Sequence, residues 1–237
     1  MKPVIDAKNI ELRAQGRSTP ILTKVNVSIM PGEFVVILGH NGSGKSSLVK
    51  ILSGDKKPTS GEVFVNGVKL SNIGTAERAK DIITITQNPH DRLFLELTLQ
   101  ENIILWESRF GREKLPLKAY EYGKAKWAGQ TDNIVANLSG GEKQAFLLAL
   151  ALSHPPSILF LDEHTSALDP KAAKEIMHLT ADYINKHKVT TIMVTHRLED
   201  ALNYGNRLII MNEGVVTKDM PKSKGLSVAQ VKEMMEG

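Results

Sequence analysis

The sequence predicts an α/β fold with a mainly parallel sheet, and three observations lead there. First, five short runs rich in β-branched residues lack polar alternation: FVVIL (34–38), IITIT (82–86), SILFLD (157–162), TTIMVT (190–195) and RLIIM (207–211). Such runs read as strands buried on both faces, as in a parallel sheet covered by helices. Second, helix-like segments separate them, at 44–53, at 141–153 with its apolar FLLALAL, and at 170–188 with apolar Ala173, Ile176, Met177, Tyr183 and Ile184. Strands alternating with helices are the pattern of βαβ crossovers. Third, the 18 glycines and 10 prolines fall between the apolar runs, with no internal repeat or low-complexity tract, which is the composition of a globular chain.

The N-terminal third follows a different rule. VNVSI (25–29) and EVFVNG (62–67) alternate polar and apolar residues, and Asn66-Gly67 is a turn signal, so a small antiparallel sheet is expected to flank the core. From Asn88 to about Ile134 the strand pattern stops and charge rises, which marks an inserted helical subdomain. The chain is therefore read as a single domain, 1–237. Its core, 1–87 and 154–237, carries the antiparallel subdomain and is interrupted by a helical insertion, 88–153. At 237 residues it can bury a substantial core without cross-links.

Composition narrows the function classes. Cysteine is absent, which fits a reducing compartment and rules out only thiolate metal sites. The N-terminal MKPVIDAKNIELRAQG has no apolar leader core, and no run reaches the ~20 apolar residues of a membrane span. A soluble, cytoplasmic chain is expected. Its net charge of +4 is spread among 26 acidic residues instead of gathered in a stripe, which argues against nucleic acid as a partner.

The chemistry begins directly after FVVIL. GHNGSGKS (39–46) matches G-x-x-x-x-G-K-[ST] between a strand and a helix. Glycines let the backbone bend so that N–H groups from Gly42 to Ser46 point at phosphate oxygens, aided by the partial positive charge of the helix start. Gly39, His40, Asn41, Gly42, Ser43, Gly44, Lys45, Ser46 and Ser47 are thus the candidate nucleotide-binding residues. Lys45 is placed to reach the β- and γ-phosphates and the Ser46 hydroxyl to ligate Mg²⁺. The buried run SILFLDE (157–163) ends in two carboxylates. Asp162 is suited to hold Mg²⁺ and Glu163 to polarise the attacking water. LSGGE (138–142) opens an apolar helix, and taken alone Ser139 is an ordinary N-cap.

These motifs in this order, a phosphate loop, then LSGGE, then a strand ending in Asp-Glu, resemble the ATP-binding-cassette (ABC) ATPases across nearly the whole chain. The resemblance implies a P-loop NTPase core of the RecA-like kind. It assigns Gln87 to the Q-loop, where it senses Mg²⁺ and water, and His196 to the switch histidine that steadies the γ-phosphate. SALD (166–169) resembles the D-loop, while Asp169-Pro170 also makes a good N-cap and N1 pair. In that family two cassettes meet head to tail. Ser139, Gly140 and Gly141 of one copy would then complete the ATP site on the other copy's phosphate loop. ATP and Mg²⁺ are the implied ligands, and Lys45, Gln87, Glu163 and His196 the implied catalytic set.

Some residues depart from the family pattern. No aromatic precedes Phe34, so the usual adenine-stacking ring is missing, and Ala14 or a neighbour stands in its place. DEHTS carries His164 where proline is common, and Leu150 stands where many relatives have arginine. With YGNRLIIMNEG (204–214) these details resemble a branch of importer-type cassettes associated with amino-acid uptake. The resemblance implies permease subunits in the membrane, a solute-binding protein in the same system, and a cassette held at the inner face of the cell membrane through the permease. Residues 88–135 are expected to dock that permease, with Leu93, Phe94, Leu95, Leu97 and Leu99 offering apolar surface. The alternative is an ABC ATPase of iron-sulfur assembly, which length does not exclude; a P-loop kinase would have no use for LSGGE.

Overall fold

The computed structural model describes residues 2–14, 16, 18–108, 129–153, 156–166 and 168–236. Two strands, β1 (Ile5–Leu12) and β2 (Leu22–Ile29), precede β3 (Phe34–Leu38) and the helix α1 (Lys45–Leu52). The hairpin β4 (Ser60–Val65) and β5 (Val68–Lys69) leads through α2 (Thr75–Asp81) into β6 (Ile82–Ile85). Next come α3 (Leu99–Glu107), α4 (Gly140–Ser153), β7 (Ile158–Asp162), α5 (Pro170–His187) and β8 (Thr190–Val194). The chain closes with α6 (Leu198–Tyr204), β9 (Arg207–Asn212), β10 (Val215–Pro221) and α7 (Val228–Glu236).

The five runs rich in β-branched residues all become strands of one sheet, ordered β10-β9-β3-β8-β7-β6 among the described residues. The pairings β9-β3, β3-β8, β8-β7 and β7-β6 are parallel, and β10 is added antiparallel at the edge. Alternate side chains pack on opposite faces. Val36, Leu38, Leu159 and Leu161 meet the buried helix α4 on one side, while Val35, Ile37, Phe160 and Ile192 meet α1 and the antiparallel sheet on the other. Both faces are therefore dry, which is why these strands lack polar alternation. Each expected strand ends within a residue of its sequence limits: Thr86, Ser157 and Thr195 fall just outside and Asn212 just inside.

The smaller sheet runs β2-β1-β4-β5. Asn66 and Gly67 adopt φ of 50° and 81°, the left-handed pair that a tight hairpin requires. β1 gives no clean pattern in IDAKNIEL because its register against β2 shifts between Ala7 and Ile10, where Asn9 has φ 51°. A bulge adds one residue and resets which side chains face inward, so alternation breaks in the middle of the strand.

In the predicted insertion, α3 starts with a capping box between Thr98 and Glu101. Residues 109–128 of the expected helical segment lie outside the described residues. No helix among the described residues is long and apolar enough to cross a membrane.

Asp169 caps α5, accepting from the N–H groups of Lys171 and Ala172, both at 3.1 Å, with Pro170 in the first turn. Replacing Asp169 by Ala removes both bonds and is expected to lower unfolding stability by about 1 kcal/mol. Equal denaturant midpoints for the two proteins would show that the cap contributes nothing.

Candidate active site

Parallel strands deliver their following loops to a single edge of the sheet. The register carries this down to individual residues: Val194 of β8 pairs with Ile37 of β3 on one side and with Asp162 of β7 on the other. The loop 39–44 and the acidic pair after β7 are therefore set at one level, with a single strand between them.

Within the loop, Lys45 is buried, and its ammonium donates to the carbonyls of Gly39 and His40, both at 2.9 Å. One N–H of the three remains for a ligand. Burial pushes the Lys45 pKa down, opposed by the negative charges of Glu163 and Asp162. Removing the charge from water in this way favours a site that holds an anion beside it. Gly39 has φ 151°, and a Cβ there would lie 2.2 Å from the Met211 carbonyl, so only glycine fits.

The Ser46 hydroxyl donates to Asp162 at 3.1 Å. Burial raises the Asp162 pKa, and the Ser46 hydrogen bond partly offsets it. The Ser46 hydroxyl and the Asp162 carboxylate are two hard oxygen ligands side by side, and burial disfavours the lone negative charge of Asp162, so a cation would be welcome. That suits Mg²⁺, which takes one or two protein oxygens and completes its shell with phosphate and water.

Glu163 sits at φ 50°, a left-handed conformation that costs a non-glycine residue about 1 kcal/mol or more. It is held there because its N–H donates to Val194 O at 3.0 Å and its carbonyl accepts from Ser166 N–H and Oγ at 3.0 and 2.8 Å. The carboxylate meets His196 Nε2 at 2.7 Å through one oxygen. A cavity of about 370 Å³ opens between Glu163 and the loop residues Asn41, Gly42, Gly44, Lys45, Ser46 and Ser47, and its remaining lining residue is Ile21. Ala14 is not part of that lining.

Other expected site residues stand apart from this cavity within the chain. Gln87 is exposed just beyond β6. Ser139 and Gly140 are exposed at the start of α4 and Gly141 is half-buried. Ser139 does cap the helix: its hydroxyl donates to Glu142 at 2.8 Å and accepts the Glu142 N–H at 3.3 Å. Ser43 is buried with no hydrogen-bond partner for its hydroxyl among the described residues.

Three contributors were not visible in the motifs. Gln144, buried in α4, donates to Thr86 O at 3.4 Å and so links the LSGGE helix to the segment carrying Gln87. Gly214 donates its N–H to Ser43 O at 3.1 Å and braces the phosphate loop from the β9–β10 turn. Ile21 reaches the cavity from the start of β2. No local signal could have found Gly214 or Ile21, since both act through contacts distant in sequence. The position of Gln144 on an apolar helix was the available hint.

The fold and site define a P-loop nucleoside triphosphatase, and the comparisons with known proteins agree. The sequence model of the family described as ABC transporter matches residues 22–166. An energy-coupling factor transporter ATP-binding protein of Acetivibrio thermocellus is 39% identical over 197 residues, covering 81% of this chain and 70% of the relative. A tyrosine transport ATP-binding protein of Clostridioides difficile is 32% identical over 243 residues, covering 93% of each. An ATP-binding cassette solved as a dimer in a post-hydrolysis state with ADP and Pi matches with TM-score 0.76 and 29% identity, over 92% of this chain and 98% of that one. The chain belongs to the ABC transporter family and is its ATP-binding, ATP-hydrolysing subunit.

His164 follows Glu163 and is 3% exposed, with no partner for its Nε2 among the described residues. Burial lowers its pKa from 6.5 to about 4. Since the folded pKa lies below the unfolded one, the unfolded chain binds the extra proton first. The neutral imidazole is therefore without penalty above about pH 6.5, and stability falls as pH drops toward 4, by up to roughly 3 kcal/mol. His164→Gln should lose less stability than the parent between about pH 7 and pH 4.5 in denaturant titrations; equal losses would mean that His164 protonates freely in the folded state.

Proposed function

We propose that this chain is the motor of an importer for a small solute, working as a head-to-tail pair of copies docked on a membrane permease. The observation that carries this reading is the division of the site. Lys45, Ser46 and Glu163 line one cavity, with Asp162 bonded to Ser46 and His196 paired with Glu163, whereas Ser139 and Gly140 are exposed and Gly141 half-buried elsewhere on the same chain. A second copy, turned head to tail, can bring that helix start to the open side of the cavity. The solved cassette bound to ADP and Pi is dimeric, which supports a paired state. An amino-acid-like solute rests on the tyrosine transport relative, and the transporter setting on the energy-coupling factor transporter relatives.

In this reading the N–H groups of Gly42 to Ser46 and the Lys45 ammonium hold the triphosphate. Ser46 and Asp162 would hold Mg²⁺, which when bound would neutralise charge building on the phosphates. Glu163 uses its carboxylate oxygen away from His196 to accept a proton from the attacking water. His196, fixed by Glu163, is positioned to donate to the γ-phosphate oxygen. Water oxygen bonds to the γ-phosphorus as the bond to the β–γ bridging oxygen breaks, leaving ADP and phosphate. Ser139 and the N–H groups of Gly140 and Gly141 from the second copy add a helix N-terminus to the same phosphate.

Residues 88–135 are taken as the arm that meets the permease. Packing claims Leu93 and Leu99, which are buried, but Phe94 is 59% exposed and Ile104 54% exposed. Asn102 fixes this display by accepting the Phe94 N–H and donating to its carbonyl, both at 2.9 Å. An apolar ring presented by a pinned backbone suits a partner helix.

Glu163→Gln is expected to bind ATP normally yet lose about 10²- to 10⁴-fold in turnover. Unchanged turnover would remove Glu163 as the proton acceptor. Lys45→Ala should lose binding itself. Mixing Lys45→Ala chains with Ser139→Arg chains should restore roughly a quarter of the parent rate, because half of the pairs are mixed and each mixed pair has one intact composite site. No recovery, in mixtures shown to associate, would refute sites shared between copies.

A further inference from the structure

We propose that Gln144 is a positioning residue for Gln87: its side-chain amide ties the segment that carries Gln87 to the LSGGE helix, so that the two move together. The proposal rests on the reading of Gln87 as the residue that senses Mg²⁺ and water, and it names what decides where Gln87 stands.

Gln144 is a destabilising choice for its position. From Ala145 to Ser153 every residue of α4 is buried, and all but Ser153 are apolar. Gln144 stands in line with them at 2% exposure, yet its Oε1 has no hydrogen-bond partner among the described residues. Leucine or methionine would fill nearly the same volume without an unmet buried acceptor. Neither could do what the amide does, which is to donate from Nε2 to Thr86 O at 3.4 Å.

Thr86 lies one residue beyond β6, the edge strand of the sheet, which pairs only with β7 among the described residues. The ladder ends at Ile85 and Leu161, and the Thr86 carbonyl is met by the Gln144 side chain instead. From there the segment is bonded to itself. Thr86 Oγ1 shares its proton between Asn88 O at 3.0 Å and Asp91 Oδ2 at 3.3 Å. Asp91 N–H donates to Asn88 O at 3.2 Å, and His90 N–H to Asn88 Oδ1 at 3.1 Å. Residues 86–91 are thus one stiff loop, and whatever fixes Thr86 also fixes the exposed Gln87 within it.

The other end of the link is the start of α4, which packs against β6 and the turn at 89–91. Gly140 and Gln144 are about one turn apart on that helix. A shift of Ser139, Gly140 and Gly141 against a phosphate held by the second copy would therefore reach Thr86 within a single turn. The register sets where it arrives, since Ile85 pairs with Leu161 and the chain leaves β6 at the level of Asp162. The amide contact is longer than the usual N–H···O reach of about 2.7–3.2 Å. A small advance of α4 toward β6 would tighten it, and a retreat would break it.

Gln144→Met keeps the volume and removes the donor, and three measurements on the full chain test the proposal. Without nucleotide or Mg²⁺, peptides covering 86–91 should exchange amide hydrogens about 5-fold faster than in the parent, while the denaturant midpoint stays at or above the parent value. The kcat of ATP hydrolysis should fall about 5- to 10-fold at an unchanged KM. In a Gln87→Ala background the same substitution should change kcat less than about twofold, because the residue it positions is gone. Gln144→Leu should behave alike. The proposal is overturned if exchange at 86–91 or kcat is unchanged, or if the kcat losses of the Gln144 and Gln87 substitutions multiply. A midpoint far below the parent in both Gln144 variants would make Gln144 a packing residue and overturn it too. Gln87→Ala alone separates the link from the reading beneath it. A loss of kcat there with none for Gln144→Met refutes the link and leaves Gln87 its role, whereas an unchanged kcat refutes the reading of Gln87 itself.

Discussion

One hydrogen bond, from the Ser46 hydroxyl to the Asp162 carboxylate, joins the two halves of the candidate site across 116 positions of sequence. Its length of 3.1 Å leaves no tolerance for a slip between β3 and β7. Neither strand touches the other; both are referred to β8, where Val194 faces Ile37 on one side and Asp162 on the other. A one-residue slip in either pairing would displace the carboxylate by about 3.3 Å and turn buried side chains toward the wrong face. The dry packing of both sheet faces prevents it, because every slipped register buries the wrong volume. Core packing and site geometry are thus a single constraint.

The rest of the site is held under tension that the scaffold supplies. Glu163 is kept at a left-handed φ of 50° by backbone bonds to Val194 and Ser166. Lys45 is buried with its charge answered by carbonyls of its own loop and by the nearby carboxylates. The loop is itself clasped between the β2 entry and the β9–β10 turn, at contacts where a methyl group on Gly39, Gly44 or Gly214 would not fit. Preorganisation of this kind lets charge stabilisation proceed without first rearranging the protein.

Much of this was legible in the amino acids because it is written locally. A phosphate loop needs glycines, a lysine and a serine within eight positions, and GHNGSGKS contains them all. Strands dry on both faces need unbroken apolar runs, and Asn66-Gly67 needs no distant partner to turn. The cap at Asp169 is likewise a three-residue event. By contrast β1 was hidden by its bulge at Asn9, and the edge strand β10, with its exposed VVTKDMP, lacks the apolar run that marked the others. The sequence marks His164 only as standing where proline is common, and its burial at 3% exposure is decided by packing.

The sequence by itself determined the class of fold, the phosphate loop, the acidic strand end and the LSGGE helix, because each depends on residues within one turn or one strand of one another. Only the tertiary structure decided that Ser46 meets Asp162, that Glu163 meets His196, that Gln144 links α4 to the segment before Gln87, and that Ile21 and Gly214 close on the loop. These contacts bridge segments 20 to 170 residues apart or depend on which way a buried helix faces. Local propensity carries no information about such distances; they are fixed when the two faces of the sheet are packed.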